Sequence, residues 1–497
     1  MNGVYPVVFL FSELFFLNNA MKQIFFTSLF VLAFVNVAVA TVFQVGATRQ
    51  YLSPSKVMGL VQDGDTVEID AGLYRGDVGT WTKSDLLIRG VGDQYAHLDA
   101  AGKNASGKAI WVITGNNTTI ENIEFSGATV VDKNGAGIRQ EGENLTLRHC
   151  YFHDNEEGIL AGDNANSDIF VENSEFANNG YGDGYSHNMY INHVHSFTLE
   201  YSYSHNAKVG HCVKSRAQNN FILYNRIMDE TDGTSSYLIN LPNGGRTLVI
   251  GNVCMKGTLS QGSALLDYGS EGYSNIKNEL YVINNTWCNR KPNAQFYHVY
   301  NGASVVFFRN NLFAGPGIIS NDTIAVASNL HLSSADGPGF VNAATFDFHL
   351  LQGSPAIDAG INPGDGSGLS FTARYEYVHP LSYNDRVMTG AANDVGAFEF
   401  KNPSSVDEKT IVKSGMIVYP NPIIGESTIE FSLNKTSLVV INIFSIEGKM
   451  VMECFQGELS AGGHQLIIPI EGLGNGVYYL QISNGIEITT TKLIIKK

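Results

Sequence analysis

"IENIEF", residues 120–125, is the first of eight segments built alike: an apolar residue, one or two polar ones, then usually asparagine. The others are LRHCYF (147–152), VENSEF (171–176), LEYSYS (199–204), LYNRIM (223–228), IGNVCM (250–255), INNTWC (283–288) and FRNNLF (308–313). Their marker residues are Asn122, His149, Asn173, Tyr201, Asn225, Asn252, Asn285 and Asn310, spaced by 27, 24, 28, 24, 27, 33 and 25 residues. A short strand and a tight corner that return every two dozen residues describe a coil. Each coil stacks on the last at about 4.8 Å, so equivalent residues form ladders. Asparagine suits such a corner because its amide can bond the same amide on the coils above and below. The expected fold is a parallel β-helix; the Leu-dense consensus of a leucine-rich horseshoe is missing.

A second strand precedes each marker by about twelve residues: GIRQ (137–140), GILA (158–161), NMYIN (188–192) and CVKSR (212–216), then SYLINL, ALLDY and QFYHVY. Upstream, DGDTVEIDAGLY (63–74) and LLIRGVGDQ read as the first coil and its cap. Downstream, GSPAIDAG (353–360) and DVGAFEF (394–400) read as the closing end. These ends resemble those of secreted right-handed β-helix proteins, which implies an all-β, right-handed, single-stranded solenoid over 41–400.

The chain has 497 residues, 44% of them apolar, with a net charge of -16. So acidic a molecule repels nucleic acid and acidic polymers except where a local basic patch holds them. Five cysteines without a CxxC pair read as small buried apolar residues. Residues 21–40, MKQIFFTSLFVLAFVNVAVA, have the charged start, apolar run and small-residue end of a secretory signal, with 1–20 an extension ahead of it. No later stretch is long enough to span a membrane, and a monomer is expected.

After Phe400, the polar run 401–415 reads as a linker. From 416 to 497 alternating apolar and polar residues predict a small β-sandwich. Within it YPNP (419–422), IFSIEGK (443–449), GVYYLQI (476–482) and KLIIKK (492–497) resemble the C-terminal sorting domain of type IX secretion cargo. The resemblance implies a bacterium of the Bacteroidetes type, the type IX machinery as partner, and release or anchoring at the outer surface.

Strand alternation places the chemistry. With Met189 and Val213 inward, Tyr190 and Asn192 point outward on one coil, and Lys214 and Arg216 on the next. Between 187 and 226 four cations (Lys208, Lys214, Arg216, Arg226) face one carboxylate, Glu200, and five of the thirteen histidines fall there. That patch suits an acidic polysaccharide. The candidate catalytic residues are Lys214, Arg216 and Tyr190. Asn192, His187, His211, Asn240 and Asp267 are candidates for holding substrate, and His298 extends the groove. His193 and His195 form an i, i+2 pair without a second ligand motif, so no metal ligand is assigned.

β-Elimination at a uronate needs its carboxylate neutralised, a base for the α-proton and an acid for the leaving oxygen. A lysine becomes a usable base when neighbouring cations depress its pKa. VKSRAQNNFILYNRI (213–227) and LVIGN (248–252) are also similar to polysaccharide lyase family six, the alginate and chondroitin lyases. That resemblance makes Lys214-Ser215 the base motif. The family's arginine on the next coil is replaced by Asn240, and Ala207 and Val209 stand where its acidic calcium ligands belong. Calcium as cofactor is therefore left open. The reading is a secreted or surface lyase on a uronate polysaccharide. The alternative is a non-catalytic glycan-binding or adhesive protein, and behind it a hydrolase or an epimerase.

Overall fold

One coil runs Leu145–Arg148, Tyr151–His153 and Glu157–Ala161, and the next Asn164–Glu172, Glu175–Ala177 and Met189–Ile191. The computed structural model describes residues 40–320, 328–337, 339–401, 417–421, 423, 427–433, 436–445, 449–483 and 488–496. The expected extension 1–20, all but residue 40 of the expected signal 21–40, and all but residue 401 of the expected linker 401–415 lie outside them. Coil pairs with coil in parallel: Leu145 opposite Ile169, Tyr151 opposite Glu175, Ile159 opposite Met189. The first two strands of the coils join one sheet of 20 strands, and the third strands form a sheet of nine. The chain is all-β, and no α-helix occurs among the described residues.

Alternation drives this arrangement. Phe125, Phe152 and Phe176 recur at the same inward position and stack at 4.9 and 4.8 Å, one coil apart. In the third strands Ile138, Ile159, Met189, Val213 and Ile239 are fully buried. Each such side chain contributes about 1.5–3 kcal/mol by leaving water.

The asparagine markers fall on two columns, not one. Asn122, His149, Asn173, Tyr201 and Asn310 sit at the corner between the first and second strands, all with φ between 46° and 56°. Asn225, Asn252 and Asn285 stand one residue later, inside the corner. There each side-chain oxygen accepts the backbone N–H of the preceding coil: Asn225 from Ser202, Asn252 from Asn225, Asn285 from Asn252. Asn311 and Asn329 continue this inner column, and Ser174 and Ser202 begin it with hydroxyls. The true corner residue after Tyr201 is Tyr224, at φ 55°. Left-handed backbone is costly for a tyrosine. Here Tyr201 and Tyr224 stack at 5.9 Å, Tyr383 covers Tyr201 at 3.9 Å, and the Tyr224 hydroxyl accepts the N–H of Arg374.

Tyr383 and Arg374 belong to a segment that does more than close the end of the solenoid. Gly396 bonds the last corner at Asn310, and a buried Arg386–Glu399 ion pair at 2.7 Å ties the closing segment together. The hairpin Tyr375–Val378 with Ser382–Asp385 then runs back along the outer corners, where Asn173 donates to Leu381. At the other end the first coil starts earlier than expected, with Val42–Val45 paired to Thr66–Ile69.

The C-terminal unit has two antiparallel sheets. One holds Ile417–Tyr419, Ser427–Leu433 and Gly462–Ile468; the other holds Met450–Leu459, Ser437–Phe444, Gly476–Ser483 and Ile488–Ile495. Ile429, Phe431, Ile441, Ile443, Leu480, Ile482 and Leu493 form their shared core. The YPNP asparagine has a visible task. Asn421 donates to the carbonyl of Lys492 and accepts the N–H of Ile494, clamping the last strand.

Candidate functional site

The nine-stranded sheet carries one continuous outward row. Arg139, Leu160, Tyr190, Lys214, Asn240, Asp267 and His298 stand directly opposite one another on successive coils. Tyr190 and Lys214 therefore project from adjacent rungs, with the Lys214 ammonium 5.0 Å from the phenol ring centre. Arg216 lies past the end of its strand. Its Nε donates to the Tyr190 hydroxyl at 3.0 Å, and another of its nitrogens donates to Asn243.

A loop reading GSEGYSN (269–275) folds over this row. Gly269 and Gly272, with φ of 90° and 89°, make its turns. They set Glu271 against both cations, 2.7 Å from Arg216 and 3.7 Å from Lys214. The side chains of Lys214 and Arg216 are left 13% and 12% exposed, and that of Glu271 48%. Burial first, then the charge of Arg216, hold the Lys214 ammonium below its usual pKa, while Glu271 pulls the other way. Partial burial pushes Glu271 up, but contact with Arg216 and Lys214 outweighs it and holds that carboxyl low.

The same loop buries part of the row. Asp267 is inaccessible; it accepts from Asn240 at 2.8 Å and from Ser270, and burial pushes its carboxyl up. Asn240 and Asp267, expected to face substrate, instead support the floor beneath the loop. His187 and His211 are buried as well. Their rings stack at 4.5 Å, and the His211 N–H donates to His187 Nδ1. Burial drives both imidazoles well below their usual pKa, so neither presents a charge to a polymer. The Asn192 oxygen accepts the N–H of His193, which commits it to its corner. His193 and His195 do not converge: the first pairs with Asp163 and the second with Asp168. Asp183 is a turn residue, accepting from Tyr185.

Glu157 and Glu271 escaped the sequence reading. Glu157 lies fully buried beside this group, accepting the N–H of His187, and burial raises its carboxyl well above the ordinary range. Glu271 comes from an insertion between coils, where no strand pattern marks position. Only its flanking glycines signal a turn.

Against known families, residues 99–252 match the right handed beta helix region, and residues 417–496 match the secretion system C-terminal sorting domain. No curated protein matches the chain. Neither family description carries an activity. Together they define a class: a right-handed β-helix protein delivered through the type IX pathway, secreted or anchored at the cell surface. No helix among the described residues is long and apolar enough to cross a membrane.

Proposed function

We propose that the trough around Lys214 binds an acidic polysaccharide and cleaves it by β-elimination. Arg216 neutralises the uronate carboxylate. Lys214, neutral, removes the proton at C5. The C5–H electrons form the C4–C5 double bond as the C4–O bond breaks, and the Tyr190 phenol protonates the departing oxygen. The observation that carries this reading is Glu271: a carboxylate already rests between Arg216 and Lys214, the same group that each uronate offers. The test incubates the full secreted chain with alginate, glucuronan, pectate and chondroitin, and follows the ultraviolet absorbance of the new double bond. A rise on one of them supports the lyase.

A glycan-binding or adhesive role without catalysis is the second reading, favoured by the low exposure of both cations. Binding with no rise in absorbance on any of the four polymers, and with the polymer unchanged in length and in its NMR spectrum, supports it. Glu271→Gln bears on both readings. Removing the internal carboxylate frees the two cations, and a part-exposed ion pair is worth up to about 1 kcal/mol. Polymer affinity is expected to rise about fivefold, measured by calorimetry. Unchanged affinity means that the polymer never reaches these cations.

A further inference from the structure

On the other sheet, three ligand-type side chains converge. His97 and Glu124 stand opposite each other on adjacent coils, and His153 approaches from the next coil, two residues along from the Glu124 row. Glu124 Oε1 lies 3.5 Å from His97 Nε2 and 2.9 Å from His153 Nε2. All three ligand atoms fall within 4.8 Å of one another. Around a tetrahedral zinc ion, with bonds near 2.0–2.1 Å, ligand atoms stand about 3.3 Å apart. We propose that His97, Glu124 and His153 hold a divalent transition metal of the zinc class, with its open side toward the adjoining cleft.

Three further observations support a site over a chance contact. First, His153 Nδ1 is bonded to Asp154 at 2.9 Å, which fixes the ring and leaves Nε2 for the metal. Carboxylates in that position orient metal-binding imidazoles. Second, the three side chains are between 19% and 28% exposed, so the ring and carboxylate orientations are held by packing while the site stays reachable. Third, His97 and Glu124 form part of the wall of a cleft of about 480 Å³ that also includes Tyr95, Asn122 and His149. Three protein ligands, two of them in the wall of a cleft, leave coordination positions for water or a ligand oxygen. His97 Nε2 now contacts the Ser126 hydroxyl at 2.7 Å, a neutral partner that the ion displaces.

The chain carries its own control. Two coils on, Glu175 and His205 repeat the pair, with Nε2 to Oε1 at 3.1 Å and Nδ1 held by Asn206 at 3.0 Å. No third ligand group completes that pair among the described residues. Two imidazoles and one carboxylate form a nitrogen–oxygen set that suits zinc better than calcium, which takes six to eight oxygens.

The experiment uses the full chain with any purification tag removed. It is stripped with chelator, dialysed against Zn²⁺ or Co²⁺ alone, and assayed for bound metal and for the visible absorption of Co²⁺. One equivalent is expected. His97→Ala and His153→Ala should each weaken binding at least about a hundredfold, Asp154→Asn about 10- to 100-fold, and His205→Ala not at all. Zn²⁺ should raise the melting temperature of the parent protein and of His205→Ala but not of His153→Ala, which separates lost ligation from lost folding. Absence of stoichiometric metal in the parent overturns the proposal. So does loss on His205→Ala, or retention on His97→Ala.

Discussion

Lys214→Met is expected to lower the rate of unsaturated-product formation by about 10²–10⁴-fold, the range that a positioned base contributes. Polymer binding should change far less, because Arg216 and not Lys214 makes the short contact with the carboxylate now in place. Tyr190→Phe should cost rate in the same way. The pH profile gives the sign. Catalysis needs neutral Lys214, so the rate rises with pH through its pKa, which burial and Arg216 hold below the usual lysine value. Glu271 raises that pKa, so Glu271→Gln should move the rising limb to lower pH. A Lys214→Met protein that keeps its rate within about tenfold of the parent is outside that range, and Lys214 is then not the base. A limb that moves upward in Glu271→Gln contradicts the assigned electrostatics.

The trough was partly legible because strand alternation is strict. Once Met189 and Val213 are inward, Tyr190 and Lys214 must point out from neighbouring rungs, and they do. Ladder position says nothing about cover, however. Asp267 and Asn240 occupy outward positions and are still buried, because the loop at 269–275 lies on them. Glu271 was invisible for the same reason, since it belongs to no rung. His97, Glu124 and His153 were missed because their convergence depends on coil lengths that vary. Glu124 and His153 meet diagonally, 29 residues apart, and a fixed period does not predict a diagonal. The asparagine pattern shows the same weakness on a smaller scale. The step from the Ser202 rung to that of Asn225 is 23 residues, not the 24 read from Tyr201. That single residue merged a column of left-handed corners with a column of internal amides. The C-terminal unit was legible from short motifs instead, and Asn421 shows why: one side chain fastens the final strand through two bonds.

That internal column carries the largest stability effect expected in the solenoid. Asn252 is fully buried. Its oxygen accepts from Asn225 N and Nδ2 at 2.8 and 3.0 Å, and its amide donates to the carbonyl of Ile222 at 2.8 Å and to Asn285 Oδ1 at 2.9 Å. Asn252→Ala leaves the Asn225 N–H without that acceptor in a dry interior, a cost of about 1–3 kcal/mol. The other three lost bonds, at about 1 kcal/mol each net, and the small cavity bring the expected total to about 4–7 kcal/mol. Asn252→Asp separates shape from chemistry. It preserves the acceptor for Asn225, but an ionised carboxylate cannot donate to Ile222 and faces the Asn285 oxygen. It should be at least as damaging at neutral pH and recover in part in acid, where the protonated group donates again. Asn329, half-buried at the last rung, is a milder case, and Asn329→Ala should cost about 1–2 kcal/mol. The strand ladders join each coil only to its neighbours, so hydrogen exchange at the Asn225 and Asn252 rungs reads the loss more directly than a global melt. If Asn252→Ala exchanges like the parent, or Asn329→Ala costs as much as Asn252→Ala, the amide column is not what holds the coils in register.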